Sequence, residues 1–303
     1  MSVSRINMSE HGPKCSRLAL GLWRLADNRM TPKATVQLIE SAFELGITTF
    51  DHADIYGDYT CEQLFGKALA ATSIKRSQIE LVTKCGIQLI SQNRPENTVK
   101  HYDTSAAHIV RSVENSLKNF GTDYIDLLLI HRPDPFADVD EIAGAFSKLR
   151  AAGKVLHFGV SNFEVPDFEL LASRLDFPLV TNQIEFSVMN MEALHNGVVA
   201  LCQKQRISPM AWSPLAGGRL FNERSKQAVR LRKTLKAIAA EFEHVSMDQA
   251  ALAWILNHPA DFVVVIGTAR IERVRAATES EEIALSRQQW FSIWQASAGG
   301  DVP

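Results

Sequence analysis

Short apolar segments alternate with amphipathic helical segments almost from end to end of the chain, and this alternation constrains the fold most strongly. In the first complete unit, Thr31 is placed to cap a helix and Pro32 occupies its first position. Apolar residues then recur at helical spacing until Gly46, where the helix is predicted to end. A buried strand follows at residues 47–50, and similar strands are predicted at residues 18–20, 79–83, 124–130, 155–160, 180–182, 208–211 and 262–266.

Eight strands, each followed by a helix, predict parallel pairing in a (β/α)8 TIM barrel. Two further helices are predicted at residues 229–242 and 247–256, before the last strand. A doubly wound sheet is the alternative, but no GxGxxG sequence follows an early strand. No Pro/Gly/Ser-rich linker divides the chain, so we expect one domain over residues 1–303.

Three segments lie outside the repeating units. Residues 1–16 precede the first strand and are expected to cover the floor of the barrel. Residues 215–224 form a long loop after the seventh strand, where barrel enzymes shape their active sites. Residues 285–303 extend the chain beyond the last unit.

The overall composition argues against several classes of partner. A net charge of −2 provides no basic field for nucleic acid or anionic lipid. The N-terminus lacks the apolar region of a secretory signal, and the apolar runs are too short to span a membrane. We therefore expect a cytoplasmic protein whose scattered cysteines are reduced thiols, without a disulfide or a metal site; these are Cys15, Cys61, Cys85 and Cys202.

Polar residues follow the predicted strands one after another. Asp51 follows the second strand, Lys84 the third and His131 the fourth. The later strands are followed by Ser161 and Asn162, Gln183, Trp212 and Ser213, and Gly267 and Thr268. All of these positions are carboxyl-terminal ends of strands, which is where barrel enzymes carry their chemistry.

Each of these residues also has a structural interpretation. Asp51 could cap the helical segment that begins near Thr60, and Lys84 could be a surface lysine. His131 could satisfy a turn, and Tyr56 could be a packing residue with an exposed hydroxyl. Their convergence on one rim favours a functional site over four unrelated structural roles.

These side chains suit the protonation of a carbonyl oxygen. A tyrosine is a weak acid, with an ordinary pKa of about 10, and a nearby ammonium lowers that pKa. We expect Lys84 to lower the pKa of Tyr56 in this way, while Asp51 holds the ammonium by pairing with it. His131 can donate a hydrogen bond that orients the carbonyl. The set fits proton donation to a carbonyl oxygen while a hydride reaches its carbon.

Several motifs in these positions resemble those of the aldo-keto reductases. Residues 51–57 read Asp-His-Ala-Asp-Ile-Tyr-Gly, matching that family's Asp-x-Ala-x-x-Tyr-Gly signature. Residues 123–134, 159–163 and 181–183 resemble its fourth-, fifth- and sixth-strand motifs. The resemblance extends over residues 18–277 and is strongest to bacterial NADP-dependent oxidoreductases related to potassium-channel β-subunits.

The resemblance implies a role for each residue of the rim. Tyr56 is the general acid, tuned by Lys84 and Asp51, and His131 orients the substrate. Ser161, Asn162 and Gln183 bind the nicotinamide carboxamide, and Trp212 stacks beneath the ring, although a core tryptophan is the alternative. The remaining cofactor contacts implied are Gly21, Leu22, Ser213, Leu215, Gly217, Gly218 and Arg219.

The resemblance also implies NADP(H) as the cofactor. Gly267, Thr268, Arg270 and Arg273 match the family's 2′-phosphate site, where a hydroxyl and forked guanidinium donors suit a phosphate. A solvated cationic face is the alternative. The chain departs from the family at residues 276–277, where two alanines replace a common Glu-Asn pair at the adenine end, and at Leu22, where threonine is common.

Trp23, Tyr56 and His131 are expected to border a pocket for small aldehydes or ketones. We expect a small-molecule substrate and a monomer or weak oligomer. Two alternatives stay open: a barrel aldolase that forms a Schiff base through Lys84, and a slow-turnover cofactor-bound redox sensor or accessory subunit.

Overall fold

A closed barrel of eight parallel strands organises the computed structural model, which describes residues 2–302. The eight barrel strands follow one another around the barrel in chain order, and the last of them pairs with the first. The predicted (β/α)8 fold is therefore confirmed. The strands are β1 (Arg5–Asn7), β2 (Lys14–Ser16), β3 (Leu18–Gly21), β4 (Thr49–Asp51), β5 (Glu80–Cys85), β6 (Ile87–Gln88), β7 (His101–Tyr102), β8 (Ile125–Ile130), β9 (Val155–Ser161), β10 (Asn182–Glu185), β11 (Met210–Trp212) and β12 (Val263–Ile266).

Helices surround the barrel and connect its strands. They are α1 (Pro32–Glu44), α2 (Tyr56–Tyr59), α3 (Cys61–Leu69), α4 (Ala106–Phe120), α5 (Val139–Ala151), α6 (Val165–Ala172), α7 (Val198–Gln205), α8 (Arg219–Asn222), α9 (Lys226–Ala239), α10 (Met247–Leu256), α11 (Ile271–Glu279) and α12 (Arg287–Ala298). Over residues 2–302, none combines the length and apolar character that a bilayer crossing requires.

Local sequence signals account for the ends of these helices. The Thr31 hydroxyl accepts a hydrogen bond from the Ala34 amide at the start of α1, as its capping position predicts. Gly46 follows α1 with a φ of 87°, and Gly121 ends α4 with a φ of 67°. Both conformations are left-handed and favour glycine.

The N-terminal hairpin of β1 and β2 closes the amino-terminal end of the barrel. Met8 and Cys15 are fully buried and belong to the same apolar cluster as the barrel residues Val82, Leu127 and Met210. The Ser208 amide, just before β11, donates a hydrogen bond to the Met8 carbonyl. This arrangement matches the expectation that residues 1–16 cover the floor, and it leaves the carboxyl ends of the strands as the open mouth.

The structure shifts some predicted boundaries. Strand β4 begins at Thr49 and β10 at Asn182, each two residues later than predicted. The predicted loop at residues 215–224 contains a 3-10 turn at Ala216–Gly218 and the short helix α8. The C-terminal extension forms α12, where Trp290 stacks on Trp254 of α10 with ring centroids 4.8 Å apart. Aromatic packing thus holds the extension against the barrel.

Gly66 lies where α3 approaches α4 closely. An added Cβ at Gly66 would meet the Asn119 carbonyl oxygen at 2.2 Å and the Phe120 Cα at 2.9 Å. Because backbone atoms cannot move aside easily, we expect Gly66→Ala to lower the free energy of unfolding by about 1–3 kcal/mol. Gly144 in α5 is the matched control, because its Cβ would meet nothing within 4 Å.

Gly144→Ala should raise the free energy of unfolding by about 0.5–1 kcal/mol, since alanine favours the helix. Urea denaturation of the two variants measures both changes. Shifts of the same sign in both variants would contradict the proposed packing.

Candidate active site

A buried ion pair lies at the carboxyl ends of β4 and β5. The Lys84 ammonium nitrogen donates to both carboxylate oxygens of Asp51, at 2.9 and 2.8 Å, and to the His52 carbonyl oxygen at 2.7 Å. Lys84 and Asp51 are 1% and 2% exposed. Burial alone would lower the pKa of Lys84, but the Asp51 carboxylate and the Tyr56 phenol outweigh it and raise that pKa. Lys84 is therefore a cation at neutral pH.

Tyr56 begins α2, directly above this pair. Its phenol oxygen accepts a hydrogen bond from the Lys84 ammonium at 3.2 Å. Burial raises the pKa of Tyr56, and the opposing effect of Lys84 does not overcome it. Lys84 lowers the pKa of Tyr56 as expected, but removing the phenol from water has the larger effect, and the net shift is upward. Tyr56 is a neutral hydroxyl at neutral pH.

His131 faces Tyr56 from the end of β8. The two ring centroids are 5.9 Å apart, with the rings edge to face. Burial lowers the pKa of His131 well below its ordinary value, and the charges of Lys84 and Arg132 act in the same direction. A neutral imidazole carries one N–H donor and one acceptor nitrogen, so His131 can donate to an oxygen without adding charge.

Gln183 joins the ion pair from β10. Its side-chain nitrogen donates to an Asp51 carboxylate oxygen at 2.7 Å, and the side chain is 2% exposed. Because a carboxylate only accepts hydrogen bonds, the amide nitrogen must face Asp51. The sequence prediction for Gln183 concerned a cofactor contact, and its hold on Asp51 was missed.

Ser161, Asn162 and Trp212 form a connected polar chain beside Gln183. The Ser161 hydroxyl donates to the main-chain carbonyl of Gln183 at 2.9 Å, and the side-chain nitrogen of Asn162 donates to the Ser161 hydroxyl at 2.7 Å. The Trp212 indole N–H donates to the Asn162 side-chain oxygen at 2.9 Å. The structure thus brings together the four residues that the sequence assigned to one cofactor ring.

The backbone of the mouth is left-handed at several places. Asn162, Ser213 and Ala216 have φ values of 59°, 51° and 53°, which are uncommon for residues other than glycine. Gly217 and Gly218 also have positive φ, and a Cβ added to either would meet nothing within 4 Å. The backbone at these two glycines is therefore not covered by other parts of the described chain.

Arg219 lies at the start of α8, over the same mouth. Its guanidinium is 3.6 Å from a Glu185 carboxylate oxygen and 3.8 Å from one of Glu223. The Gly218 amide donates to the Leu215 carbonyl at 3.0 Å, which closes the turn before Arg219. Two carboxylates therefore lie within 4 Å of the Arg219 guanidinium. The contact of Arg219 with a pyrophosphate stays a prediction.

The loop after β3 borders the other side of the mouth. The Leu22 amide donates to the Asp51 carbonyl at 3.0 Å, and Gly21 pairs with Asp51 in the barrel. Trp23 is 55% exposed. Gly21 and Leu22 also line a small cleft with Gly267 and Thr268 of the eighth strand's loop, so the structure joins these two predicted cofactor segments.

The predicted phosphate site follows β12. The Thr268 hydroxyl accepts from the Arg270 amide at 3.2 Å, at the start of α11. Arg270 and Arg273 are exposed, and neither has a carboxylate within 4 Å among residues 2–302. Ala277, in the segment that departs from the family pattern, is 6% exposed and packs in the core.

Two polar residues beside the site, one buried and one half-buried, were not predicted from the sequence. His52 follows Asp51 and is fully buried between Phe65 and Phe120, with no hydrogen-bond partner for either ring nitrogen among residues 2–302. Asp54 accepts from the Ser112 hydroxyl at 2.9 Å, and burial raises its pKa to about 8. Their only sequence signal is their position between Asp51 and Tyr56.

Comparisons with known proteins find extensive similarity. The family model described as the aldo/keto reductase family matches residues 17–298. Oxidoreductase YdhF of Escherichia coli (strain K12) is 48% identical over 301 residues, covering 99% of this chain and 100% of that protein. A 6-dehydroglucose reductase of Agrobacterium fabrum is 46% identical over 301 residues, with the same coverage.

A solved structure is also similar throughout. It is a thermostable aldo-keto reductase in complex with the inhibitor epalrestat, with a TM-score of 0.83 and 27% identity. The match covers 97% of this chain and 99% of that one.

The buried ring of His52 gives a pH-dependent stability prediction. Burial, with the charge of Lys84, lowers the pKa of His52 well below 6.5, so the folded protein keeps the ring neutral while the unfolded chain binds a proton below that pH. Stability is therefore lost as pH falls. We expect His52→Leu to gain stability relative to the wild type by about 2 kcal/mol between about pH 7.5 and about pH 5.

Urea denaturation at a series of pH values measures this gain. Phe65→Leu, in the same apolar cluster, is the control, because it carries no titrating group and should shift stability equally at every pH. A pH-independent effect of His52→Leu would show that His52 titrates normally in the folded protein.

Proposed function

This chain belongs to the aldo/keto reductase family, and from that premise we propose that it uses NADPH to reduce aldehydes or ketones to alcohols. The observation that carries the proposal is the hydrogen bond from the Lys84 ammonium to the Tyr56 phenol oxygen. With the edge-to-face contact of Tyr56 and His131, it supports a site in which a neutral acid, a fixed cation and an imidazole act on one substrate.

Tyr56 is the proton donor in this proposal. Because Lys84 donates to the phenol oxygen, the phenol's own hydrogen is left for another acceptor, such as a substrate carbonyl oxygen. The raised pKa of Tyr56 keeps that hydrogen in place at neutral pH. As the proton leaves, the phenolate that forms is stabilised by the ammonium at 3.2 Å.

Asp51 and Gln183 position the cation in this proposal. Asp51 holds the Lys84 ammonium with both carboxylate oxygens, and Gln183 fixes Asp51 in turn. His131 orients the substrate by donating to the same carbonyl oxygen as Tyr56, and its neutral ring matches that role.

The residues of the mouth fit a nicotinamide dinucleotide. Bound NADPH supplies the hydride for the carbonyl carbon. Ser161 and Asn162 would hold the carboxamide together with the side-chain carbonyl oxygen of Gln183, and Trp212 would stack with the ring. The glycine-rich turn over residues 215–219 would hold the phosphates, and Thr268, Arg270 and Arg273 would bind the 2′-phosphate.

The charge state of Lys84 disfavours the aldolase alternative. A Schiff base requires a neutral amine as nucleophile, whereas the raised pKa of Lys84 keeps it an ammonium. Its hydrogen bonds to Asp51, the His52 carbonyl and Tyr56 also use its three donors.

Replacing Tyr56 by Phe tests the proton donor. We expect Tyr56→Phe to lower kcat for aldehyde reduction by about 10²–10⁴-fold, because the ring packing remains and the acid is lost. NADPH oxidation across a panel of aldehydes and ketones, including a sugar-derived aldehyde suggested by the 6-dehydroglucose reductase relative, provides the assay.

Tyr124→Phe is the control for Tyr56→Phe, because Tyr124 precedes β8 at the other end of the barrel. It should retain wild-type turnover. Wild-type turnover in Tyr56→Phe would show that Tyr56 is not the proton donor. If none of the carbonyl compounds in the panel caused the wild-type protein to oxidise NADPH, the proposed function would be contradicted.

The preference for NADPH depends on the cations at α11. We expect Arg273→Gln to weaken NADPH binding by about tenfold or more, since it loses a charge-assisted hydrogen bond to phosphate, and to leave NADH binding nearly unchanged. Quenching of tryptophan fluorescence during titration measures both dissociation constants.

Arg275→Gln is the matched control, because Arg275 is an exposed cation on the same helix outside the predicted phosphate site. An equal loss of NADPH affinity in both variants would indicate a general charge effect and contradict a specific 2′-phosphate contact.

A further inference from the structure

Arg132 lies next to the reacting groups and has no role in the mechanism described above. It follows His131 directly at the end of β8 and is half-buried. Its guanidinium carbon is 5.4 Å from the centroid of the Trp212 ring. A guanidinium over an aromatic face is held in a defined position. Arg132 therefore links the end of β8 to Trp212 at the end of β11.

The charge of Arg132 is uncompensated within residues 2–302. No carboxylate lies within 4 Å of its guanidinium there, in contrast to Arg219, which contacts Glu185. The nearest acid along the chain, Asp134, accepts hydrogen bonds from the Thr104 hydroxyl and the Phe136 amide instead.

Asp51, the carboxylate of the active site, does not balance the charge of Arg132 either. The Asp51 carboxylate is paired with Lys84 and held by Gln183. Arg132 is therefore a half-buried guanidinium without a carboxylate partner in the described part of the chain, and such a charge favours an anionic partner.

The charge of Arg132 acts on the residues that would surround a substrate carbonyl. Its charge acts to lower the pKa of both Tyr56 and His131, alongside larger effects of burial and of Lys84. The exposed Lys100 ammonium acts on His131 in the same direction. Because Arg132 directly follows His131 and packs on Trp212, a group bound to Arg132 would lie on the same side of the mouth as a carbonyl held by Tyr56 and His131.

We propose that Arg132 is a specificity-determining residue that binds an oxyanion, a carboxylate or a phosphate, on the carbonyl substrate. The proposal rests on the reductase function proposed above and narrows its substrate class to short aldehydes or ketones that carry such a group. The planar guanidinium offers paired donors that match two oxygens of either anion.

Matched charged and neutral substrates test this proposal. The carboxylate arm compares 4-carboxybenzaldehyde with its methyl ester, and the phosphate arm compares D-glyceraldehyde 3-phosphate with D-glyceraldehyde. We expect the wild type to show kcat/KM about tenfold or more higher for the charged member of at least one pair, as a charge-assisted contact predicts. The arm with the larger ratio identifies the anion.

Three variants test whether Arg132 causes the higher kcat/KM for the charged substrate. Arg132→Gln should reduce the charged-to-neutral ratio to near one, and Arg132→Lys, which keeps the charge, should restore part of it. Arg150→Gln is the control, because Arg150 also stacks on an aromatic ring, with its guanidinium carbon 4.5 Å from the Phe177 centroid. It lies at the end of α5, away from the mouth, and should keep the wild-type ratio.

The outcomes separate this proposal from the reductase function. Reduction of neutral and charged substrates with equal kcat/KM, or a ratio that survives Arg132→Gln, would overturn the role of Arg132 and leave the reductase function intact. No reduction of any substrate in either arm or in the wider panel would overturn the function itself. A larger NADPH dissociation constant in Arg132→Gln, with an unchanged charged-to-neutral ratio of kcat/KM, would mean that Arg132 only supports the position of Trp212.

Discussion

The buried ion pair of Lys84 and Asp51 determines how the rest of the mouth is arranged. Both groups are almost fully removed from water, so losing one partner would leave an uncompensated charge in the barrel. The pair stays charged because each donor of Lys84 has an acceptor, and the last of these is the Tyr56 phenol. The barrel brings the groups together by pairing β4 with β5.

The polar groups around this pair are mostly neutral. Burial keeps the phenol of Tyr56 and the imidazole of His131 uncharged at neutral pH, and it does the same for the ring of His52. A carbonyl held by Tyr56 and His131 would meet two neutral donors, with the Lys84 cation fixed behind the phenol. Such an arrangement stabilises a developing oxyanion without a second charge having to move.

The fold and much of the site could be predicted from the sequence, because both depend on local periodicity and strand order. Alternation of strands and helices predicted the barrel, and the carboxyl ends of strands indicated Asp51, Lys84 and His131. Burial could not be predicted residue by residue, so the sequence indicated that Lys84 lowers the Tyr56 pKa but not the larger, opposing effect of burial. The contact of Gln183 with Asp51 was also missed, because it joins β10 to β4 across the barrel interior.

Transfer of deuterium from cofactor to product tests the central claim, a hydride reduction at this mouth, most directly. NADPH carrying deuterium at one or the other C4 position is incubated with the wild-type protein and an aldehyde, and the alcohol is analysed by mass spectrometry and NMR. The account predicts one deuterium on the former carbonyl carbon from one C4 position and none from the other. Alcohol without deuterium from either cofactor would contradict it.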